Sequence, residues 1–265
     1  MEKNKIILSV ALAVLNEEKN LASCLESIVD IADEIIIVDG GSTDKTIAEA
    51  QKYHAKIIRT SNPPIFHINK QKALDACKGL WILQLDADEV VSDALKNEII
   101  DVVKKESGLK GYAVARKNYF LDTWLKKGGQ YPDYVIRLVR KGYAKFPCKS
   151  VHEQIQVDGE VGHLQNPLLH YSYRTLSEYW KKADAYTSLT AGEMYDSKMK
   201  PSFPKAFLYF FVKPLKTFLL LYFRHKGCLD GVNGFRFALF SSLHHAIAYK
   251  KFLSLYSINT VDMSV

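Results

Sequence analysis

The sequence has few cysteines, and the four that it has are scattered over 265 residues: Cys24, Cys77, Cys148 and Cys228. None forms a Cys-x-x-Cys pair, so neither a disulfide framework nor a zinc cluster is expected, and a reducing compartment is the default. Internal repeats and low-complexity segments are also absent. Because 48% of the residues are hydrophobic and 25% are charged, the composition is that of a globular protein with a substantial core.

Long apolar runs are missing as well. Residues 205–226 are dense in Phe, Leu and Tyr, but they contain no stretch of about 18 uncharged apolar residues, so a membrane-spanning helix is not expected. Near the N-terminus, the run Ile6–Val14 is followed by Glu17-Glu18 without the small-residue cleavage site of a signal peptide. We therefore interpret Ile6–Val14 as the first core strand.

Residues 205–226 instead have the pattern of an amphipathic helix that lies in a membrane interface. With about 100° per residue, four basic residues share a sector of about 100° beside a broad apolar surface: Lys205, Lys213, Lys216 and Arg224. Pro214 is expected to kink or break this helix. The alternative is a buried helical pair in which Leu239–Phe252 is the partner.

The net charge of +7 is unevenly distributed along the chain. Residues 1–100 contain 11 basic and 16 acidic residues, a balance of −5, whereas residues 101–265 contain 25 basic and 13 acidic residues, a balance of +12. A basic second half favours a polyanionic partner, such as nucleic acid, an anionic membrane surface or a phosphorylated substrate. A solvated lysine-rich surface is the simpler alternative.

The first hundred residues alternate between strand and helix patterns. The predicted strands are short and nearly continuous in apolar residues: Ile6–Val14, Ile35–Val38, Lys56–Arg59 and Leu80–Leu85. Such alternation predicts an α/β fold with a mostly parallel sheet that is flanked by helices on both faces. A change of composition near Pro201 predicts a catalytic domain over residues 1–200 and a helical, membrane-associating extension over residues 201–265.

Acidic side chains follow the strands of this predicted sheet. Asp86 and Asp88 come directly after the fourth strand, and Asp39 ends the second, before the turn Gly40-Gly41-Ser42-Thr43-Asp44. Asn16-Glu17 ends the first strand. Each motif alone fits a plain turn or a helix cap. Together they predict a ligand site at the carboxyl edge of the sheet, where Asp-x-Asp can hold a divalent cation and diphosphate oxygens.

These motifs, in this order and spacing, resemble family 2 glycosyltransferases. The resemblance implies a GT-A fold, a nucleotide-diphospho-sugar donor and inversion at the anomeric carbon. It implies that Leu15, Asn16 and Glu17 line the base pocket and that Asp39 contacts uracil or ribose. It further implies that Asp86 lies near the ribose and the metal, and that Asp88 binds Mg²⁺ or Mn²⁺.

The segment around Asp133 extends the resemblance. Asp133 and Arg137-Leu138 hold the places of the family pattern, although Pro132 stands where the family often has glutamate. On this analogy Asp133 is the general base, which removes the proton of the acceptor hydroxyl, and Arg137 meets phosphate. The alternative for Asp133 is a turn or cap residue, and Glu153 is the next candidate for the base. His152 is a candidate third metal ligand, with a packed or surface histidine as the alternative.

Four further motifs are similar to bacterial lipopolysaccharide-core glucosyltransferases: Gly128–Asp133, Val151-His152-Glu153, Leu168–Tyr173 and Leu229-Asp230-Gly231. This similarity implies UDP-glucose as donor and a lipid-anchored, phosphorylated inner-core acceptor at the inner face of the cytoplasmic membrane. The Gln-x-x-Arg-Trp signature of processive synthases is absent, so transfer of a single sugar is favoured.

Three other readings remain open at this point. The acceptor can be a polyprenyl phosphate, another glycan or a protein side chain. The chain can also be a non-catalytic nucleotide- or anion-binding module. A nucleic-acid binder would explain the basic half, but no recognised motif supports it.

Overall fold

The computed structural model of the chain describes residues 6–105, 107–149 and 154–262. It divides into two compact units. The first unit consists of Met1–Lys117 and Asp133–His170, and the second consists of Asn118–Pro132 and Tyr171–Val265. The predicted site residues His152 and Glu153 lie outside the described residues.

The first unit begins with four strands that are separated by three helices. The strands are β1 (Leu8–Val14), β2 (Glu34–Asp39), β3 (Lys56–Arg59) and β4 (Trp81–Leu85), and the helices are α1 (Leu21–Glu26), α2 (Thr46–Lys52) and α3 (His67–Ala76). All four strands are parallel and lie in the order β3-β2-β1-β4. The prediction of a mostly parallel α/β sheet flanked by helices is thereby confirmed.

Most later strands extend this sheet in the antiparallel sense, one pairs in parallel, and two others form a separate two-stranded sheet. The remaining elements up to the long fifth helix are β5 (Glu89–Val91), α4 (Asp93–Lys104), β6 (Gly111–Phe120), β7 (Thr123–Trp124), β8 (Asp133–Arg140), β9 (Ala144–Lys145), β10 (Gln156–Val157), β11 (Val161–His163), β12 (Leu168–Tyr173) and α5 (Leu176–Asp196). β8 pairs antiparallel with β4 on one side and with β6 on the other. The start of β12 pairs antiparallel with β5.

Side chains of β1 show why the first strand lies in the interior of the sheet, between β2 and β4. Val10 and Leu12 point to the face that Leu25 of α1 and Ile99 of α4 cover. Ala11 points to the opposite face, which α3 covers. A strand buried on both faces has no polar side to present, and this explains its nearly continuous apolar sequence.

The second unit is built mainly from three long helices. They are α5, a helix over Phe203–Arg224 that we call the apolar helix, and the C-terminal helix Gly231–Asp262, which a 3₁₀ turn over Gly227–Asp230 precedes. Aromatic side chains join them: Tyr179 of α5 packs on Phe240, and Tyr209 stacks on Tyr249. Because α5 packs with the C-terminal helices, the compact units do not follow one cut near residue 200. The division into residues 1–200 and 201–265 stays a prediction about function.

The apolar helix continues through Pro214, so the expected break does not occur. Two π-helical stretches, Leu208–Val212 and Leu220–Arg224, widen the helix, and the first of them directly precedes the turn that contains Pro214. A wider turn relieves the clash between a proline ring and the carbonyl one turn earlier. The helix is also long and apolar enough, with a mean hydropathy of 1.5, to cross a membrane. The sequence analysis did not expect a spanning helix, because it required a long stretch without charged residues. By length and mean hydropathy alone, this helix is able to span a membrane.

Exposure along the apolar helix repeats every four residues. From Phe203 to Arg224, two exposed residues alternate with two half-buried ones. An α-helix has 3.6 residues per turn, so a repeat of four would drift around it, and the wider π-helical turns offset that drift. Residues four positions apart therefore form rows along the helix. Basic residues occupy two adjacent rows, with Lys205 and Lys213 half-buried and Lys216 and Arg224 exposed.

Candidate active site

The ends of β1, β2 and β4 meet at one edge of the sheet, as predicted. In the strand register Val14 lies opposite Asp39, and Leu12 lies opposite Leu85, the residue before Asp86. Parallel strands place their carboxyl ends at the same edge, so the turns that follow them are neighbours. The sequence motifs are therefore close in space because the strand order is β2-β1-β4.

Hydrogen bonds join the turn after β1 to the turn after β2. Asn16 donates from its backbone N to Ser42 Oγ at 2.9 Å, and its Oδ1 accepts from Thr43 N at 2.9 Å. Glu17 N donates to Thr46 Oγ1 at 2.7 Å. Asn16 has a φ of 55°, a left-handed conformation that asparagine tolerates better than most residues. The backbone of residues 15–17 is thus fixed beside the Gly-Gly turn.

Asp39 is buried, with 2% of its surface exposed. Its carboxylate accepts from Gly41 N at 3.2 Å and from Ser42 N at 3.1 Å. Gly41 has a φ of 99°, which an L-residue with a side chain rarely adopts. Asp39 therefore shapes the turn in this structure, and its contact with a base or ribose stays a prediction.

Asp86 lies between two cations. Lys70 of α3 forms an ion pair with its Oδ1, and Arg137 of β8 donates from Nη2 to its Oδ2 at 2.7 Å. Burial alone would raise the pKa of Asp86, but Arg137 and Lys70 outweigh burial and hold the pKa well below its usual range. Both oxygens of Asp86 are occupied by cations, so direct metal binding by Asp86 would have to displace one of them.

Arg137 supports carboxylates in this structure and does not face a free phosphate site. Only 7% of the residue is exposed, and its Nη2 also donates to Glu89 Oε1 at 2.6 Å. Nη1 donates to Gln84. Burial acts to lower the pKa of Arg137, but Asp86 and Glu89 raise it above its ordinary value. Arg137 thus pairs with carboxylates in this structure, and its contact with phosphate stays a prediction.

A second arginine connects Glu89 to the predicted base. Arg116 Nη2 donates to Asp133 Oδ2 at 2.6 Å, and Arg116 Nε donates to the same oxygen at 3.0 Å. Arg116 Nη1 lies 3.7 Å from Glu89 Oε1, and Glu89 is completely buried. The result is a chain of alternating charges that runs from Asp86 through Arg137, Glu89 and Arg116 to Asp133.

Asp88 is paired differently, with a histidine from β12. His170 Nε2 lies 3.6 Å from Asp88 Oδ1, and both side chains are largely buried. Within the described residues no group of three His, Cys, Asp or Glu side chains is arranged to hold a metal ion. The carboxylate of Asp88 nevertheless suits Mn²⁺ or Mg²⁺, and diphosphate oxygens would supply further oxygen ligands, so this side chain fits a metal that is shared with the substrate.

Several residues of this site were not predicted as members of it: Lys70, Gln84, Glu89, Arg116 and His170. Glu89 directly follows the Asp-x-Asp motif, and a fully apolar strand interrupted by Gln84 was a usable signal. Lys70 and Arg116 carry no such signal, because only the packing of α3 and β6 brings them to the edge. His152, the predicted third metal ligand, lies outside the described residues.

Comparison with known proteins agrees with the sequence motifs. Residues 9–159 match the family model described as glycosyl transferase family 2. The lipopolysaccharide core biosynthesis glycosyltransferase LpsC of Rhizobium meliloti (strain 1021) is 34% identical over 242 residues, which cover 87% of this chain and 86% of that protein. An uncharacterized glycosyltransferase of Rickettsia typhi is 27% identical and covers 96% of this chain and 90% of its own length.

Likeness to solved structures is weaker. S. aureus TarS 1-349 superposes with a TM-score of 0.47 at 16% identity, over 95% of this chain and 89% of that chain. Glucosyl-3-phosphoglycerate synthase from Mycobacterium tuberculosis, in complex with Mn²⁺, UDP-glucose and phosphoglyceric acid, gives a TM-score of 0.36 at 23% identity, over 42% and 44% of the two chains. Neither superposition carries an argument about ligands here.

Proposed function

Because this chain belongs to glycosyl transferase family 2 and is a glycosyltransferase, we propose that it transfers a single sugar, with inversion, to a lipid-linked glycan. The proposed donor is UDP-glucose, and the proposed acceptor is the inner core of lipopolysaccharide. The observation that carries the proposal is the set of carboxylates Asp86, Asp88 and Asp133 in the first unit. Lys70 and Arg137 hold Asp86, Arg116 holds Asp133, and His170 lies beside Asp88. The name of the LpsC relative supports the acceptor class.

The donor nucleotide binds, on this proposal, at the joined turns after β1 and β2. The backbone of Leu15, Asn16 and Glu17 lines the base pocket, and the Gly40-Gly41 turn lets the ligand approach the main chain closely. Asp39 orders this turn through its hydrogen bonds to Gly41 and Ser42. A prearranged turn binds a nucleotide without first having to be ordered.

Asp88 and His170 hold the proposed divalent cation, with Asp86 beside it and His152 as the predicted additional ligand. Bound Mg²⁺ or Mn²⁺ would neutralise the charge of the diphosphate leaving group. Lys70 and Arg137 pair with both oxygens of Asp86 and hold its pKa well below its usual range. This arrangement favours Asp88 over Asp86 as the principal ligand.

Asp133 is the proposed base for the acceptor hydroxyl. A carboxylate that removes this proton while the oxygen attacks C1 from the face opposite the diphosphate suffices for a direct inverting displacement. Arg116 donates from both Nε and Nη2 to Oδ2 of Asp133. These two bonds orient the carboxylate.

The apolar helix is the proposed membrane contact, on the inner face of the cytoplasmic membrane. Its exposed rows are rich in large apolar side chains, including Phe203 at 85%, Phe211 at 63% and Leu215 at 59% exposure. Soluble surfaces rarely expose a contiguous apolar patch of this kind. Lys216 and Arg224 on the same face suit anionic headgroups. The opposite rows pack on the C-terminal helix, where Thr217 Oγ1 lies 2.9 Å from His245 Nε2, and this favours a helix that lies in the interface.

A thermal-shift panel tests the donor and metal assignments together. UDP, GDP, CMP and ADP are each added with and without Mn²⁺, and a ligand at 100 times its dissociation constant stabilises the folded state by about 2.7 kcal/mol. We expect Mn²⁺-dependent stabilisation by UDP, which Asp88→Ala abolishes and the exposed control Asp93→Ala retains.

Other results of this panel have definite meanings. Stabilisation by GDP or CMP keeps the enzyme class and discards UDP-glucose. Undiminished Mn²⁺-dependent UDP binding in Asp88→Ala removes Asp88 from the metal site. Transfer assays with a polyprenyl phosphate and with rough lipopolysaccharide then separate the acceptor classes.

A further inference from the structure

Asp230, in the motif Leu229-Asp230-Gly231, holds the loop that leads into Asp133. Its Oδ1 accepts from Lys126 N at 3.1 Å, and its Oδ2 accepts from Lys127 N at 2.8 Å. A carboxylate that accepts from two consecutive backbone amides forms charge-assisted bonds, which are stronger than neutral ones. The proposed reaction makes no use of this motif so far.

Other contacts join the same two parts of the second unit. Gly128 N donates to His225 O at 2.9 Å, and Asn233 Nδ2 donates to Thr123 Oγ1 at 2.7 Å. Gly227 packs against Gly128, and a Cβ at Gly227 would lie 3.4 Å from the Cα of Gly128 and 2.7 Å from the Leu221 carbonyl oxygen. The loop is therefore attached to residues 225–233 at several points.

The loop is also closed on itself. Leu125 N donates to Asn118 O at 3.0 Å, and Asn118 Nδ2 donates to Gln130 O at 3.0 Å. Trp124 and Tyr131 meet edge to face with their ring centroids 5.4 Å apart. We call residues 121–132 the braced loop. The last residue of this loop, Pro132, directly precedes Asp133 in the chain.

At its other side, the attachment is continuous with the apolar helix. His225 N donates to Leu220 O at 2.8 Å, and Lys226 N donates to Phe223 O at 3.0 Å. The last helical turn therefore runs without a gap into the residues that hold the braced loop. Phe223, on this last turn, is 59% exposed and belongs to the apolar face.

We propose that Asp230 is a positioning residue for the transfer reaction, because it ties the braced loop to the end of the apolar helix. Contact of that helix with lipid orders its last turn, and the bonds from Asp230 carry this order to the segment that ends at Asp133. This inference rests on the proposed roles of Asp133 and of the apolar helix. A base must be placed to within a fraction of an ångström for efficient proton transfer, so a steadier loop raises the rate.

Hydrogen exchange measured by mass spectrometry tests the coupling without requiring turnover. The full-length wild type, Asp230→Asn and the control Asp196→Asn are compared, alone and with vesicles of phosphatidylethanolamine and phosphatidylglycerol. Asp196 is an exposed carboxylate at the end of α5, away from the braced loop in sequence. Vesicle binding is measured in parallel by sedimentation, and folding is checked by the thermal midpoint.

We expect vesicles to slow exchange in residues 121–132 of the wild type and of Asp196→Asn by about tenfold. Asp230→Asn should bind vesicles equally well but lose this vesicle-dependent protection. Asn233→Ala, which removes only the bond to Thr123, should show a smaller loss. It provides a second reading if Asp230→Asn has a lowered thermal midpoint.

Two results overturn the coupling, and they are distinguishable. If the wild type binds vesicles and its exchange in residues 121–132 does not change, or if Asp230→Asn behaves like the wild type, Asp230 does not couple the two regions. If the wild type fails to sediment with vesicles, the membrane part of the proposed function fails and the coupling fails with it.

Steady-state kinetics adds a readout that a merely structural role would not move. With UDP-glucose and rough lipopolysaccharide as probes, Asp230→Asn should lower kcat about tenfold and leave the KM for UDP-glucose within about twofold. A rise in KM at constant kcat would contradict positioning of the base. If the wild type is inactive toward these probes, the proposed substrates are wrong, and the exchange experiment alone decides the coupling.

Discussion

The two units break the usual division between interior and surface in opposite ways. In the first unit, charged side chains lie inside: Glu89 is completely buried, and Arg137 is 7% exposed. In the second unit, large apolar side chains lie outside, and Phe203 is 85% exposed. Buried charge and exposed apolar surface both cost stability unless something compensates them.

The compensation differs between the units, and the difference indicates what each unit does. In the first, the protein itself supplies the partners, because the three carboxylates Asp86, Glu89 and Asp133 each contact an arginine or lysine. In the second, the described residues supply no cover for the exposed face of the apolar helix. The first unit is preorganised for polar chemistry, and the second exposes the apolar face that we propose as the membrane contact.

Replacing the proposed base should have the largest effect on the first unit's function. Asp133→Asn keeps the size of the side chain but cannot take a proton, so transfer should fall about 10²- to 10⁴-fold with donor binding unchanged. Asp75→Asn, on the surface of α3, serves as the control. Turnover that persists in Asp133→Asn would move the base elsewhere, with Glu153 the next candidate.

Removing a buried cation tests whether pairing is what makes the interior charge tolerable. Arg137→Met leaves Glu89 buried with only the more distant Arg116, so the free energy of unfolding should fall by about 3–5 kcal/mol. The exposed control Lys52→Met should change it by less than about 0.5 kcal/mol. Urea denaturation of both variants measures the difference. Equal stabilities would show that the charged network is not a stabilising element.

Changing the exposed face tests the second unit. The single variants Phe211→Ser and Leu215→Ser each remove an apolar side chain whose full burial contributes about 1.5–3 kcal/mol. The affinity of each variant for anionic vesicles should therefore fall by at least about tenfold. Leu189→Ser on α5, which is also exposed at 47%, is the matched control. Vesicle sedimentation that is the same for all three variants would exclude this face as the membrane contact.

Two histidines should give the second unit a modest pH dependence. His244 Nε2 lies 3.0 Å from Tyr179 Oη, and His245 Nε2 lies 2.9 Å from Thr217 Oγ1. Burial lowers the pKa of both, and further lowering comes from His245 for His244 and from Lys213 for His245. The unfolded chain therefore binds protons more readily below pH 6.5, and stability present above this pH is lost as the pH falls.

Thermal midpoints at pH 7.5 and pH 5.5 measure this effect in the wild type and in the double variant His244→Gln, His245→Gln. Glutamine keeps a polar side chain but does not titrate, so the double variant should lose less stability on acidification. His225→Gln, at an exposed histidine, is the control. If the double variant retains the full pH dependence, groups other than these histidines cause it.

Much of the fold followed from local sequence patterns. β3 was predicted with its observed bounds, and β1, β2 and β4 were predicted to within two residues at either end. β1, β2 and β4 are buried on both faces, so their apolar character is a direct consequence of their position, whereas β3 lies at the edge and exposes Lys56 and Arg59. The apolar helix was predicted as well, but the four-residue repeat of its exposure was not. The prediction assumed about 100° per residue, as in a regular α-helix, and the π-helical stretches change this repeat.

The candidate site was predicted only as far as its motifs reach. Asp39, Asp86, Asp88 and Asn16 follow strands, and parallel strand order suffices to place them at one edge. What holds them was not predictable, since Lys70 and Arg116 come from elements without a distinctive motif. The carboxylate partners of Arg137 were not predicted either, because they lie on other strands and meet Arg137 only across the sheet.

The sequence by itself determined the strands, the acidic turn motifs and the family, because these depend on residues that are close along the chain. Only the tertiary structure decided which cation meets which carboxylate, because β8 and β6 must first pair beside β4. It also decided which face of the apolar helix is exposed and that Asp230 holds the loop before Asp133. Those arrangements depend on contacts between residues far apart along the chain, 51 positions for Arg137 with Asp86 and 104 for Asp230 with Lys126, for which a local pattern holds no information.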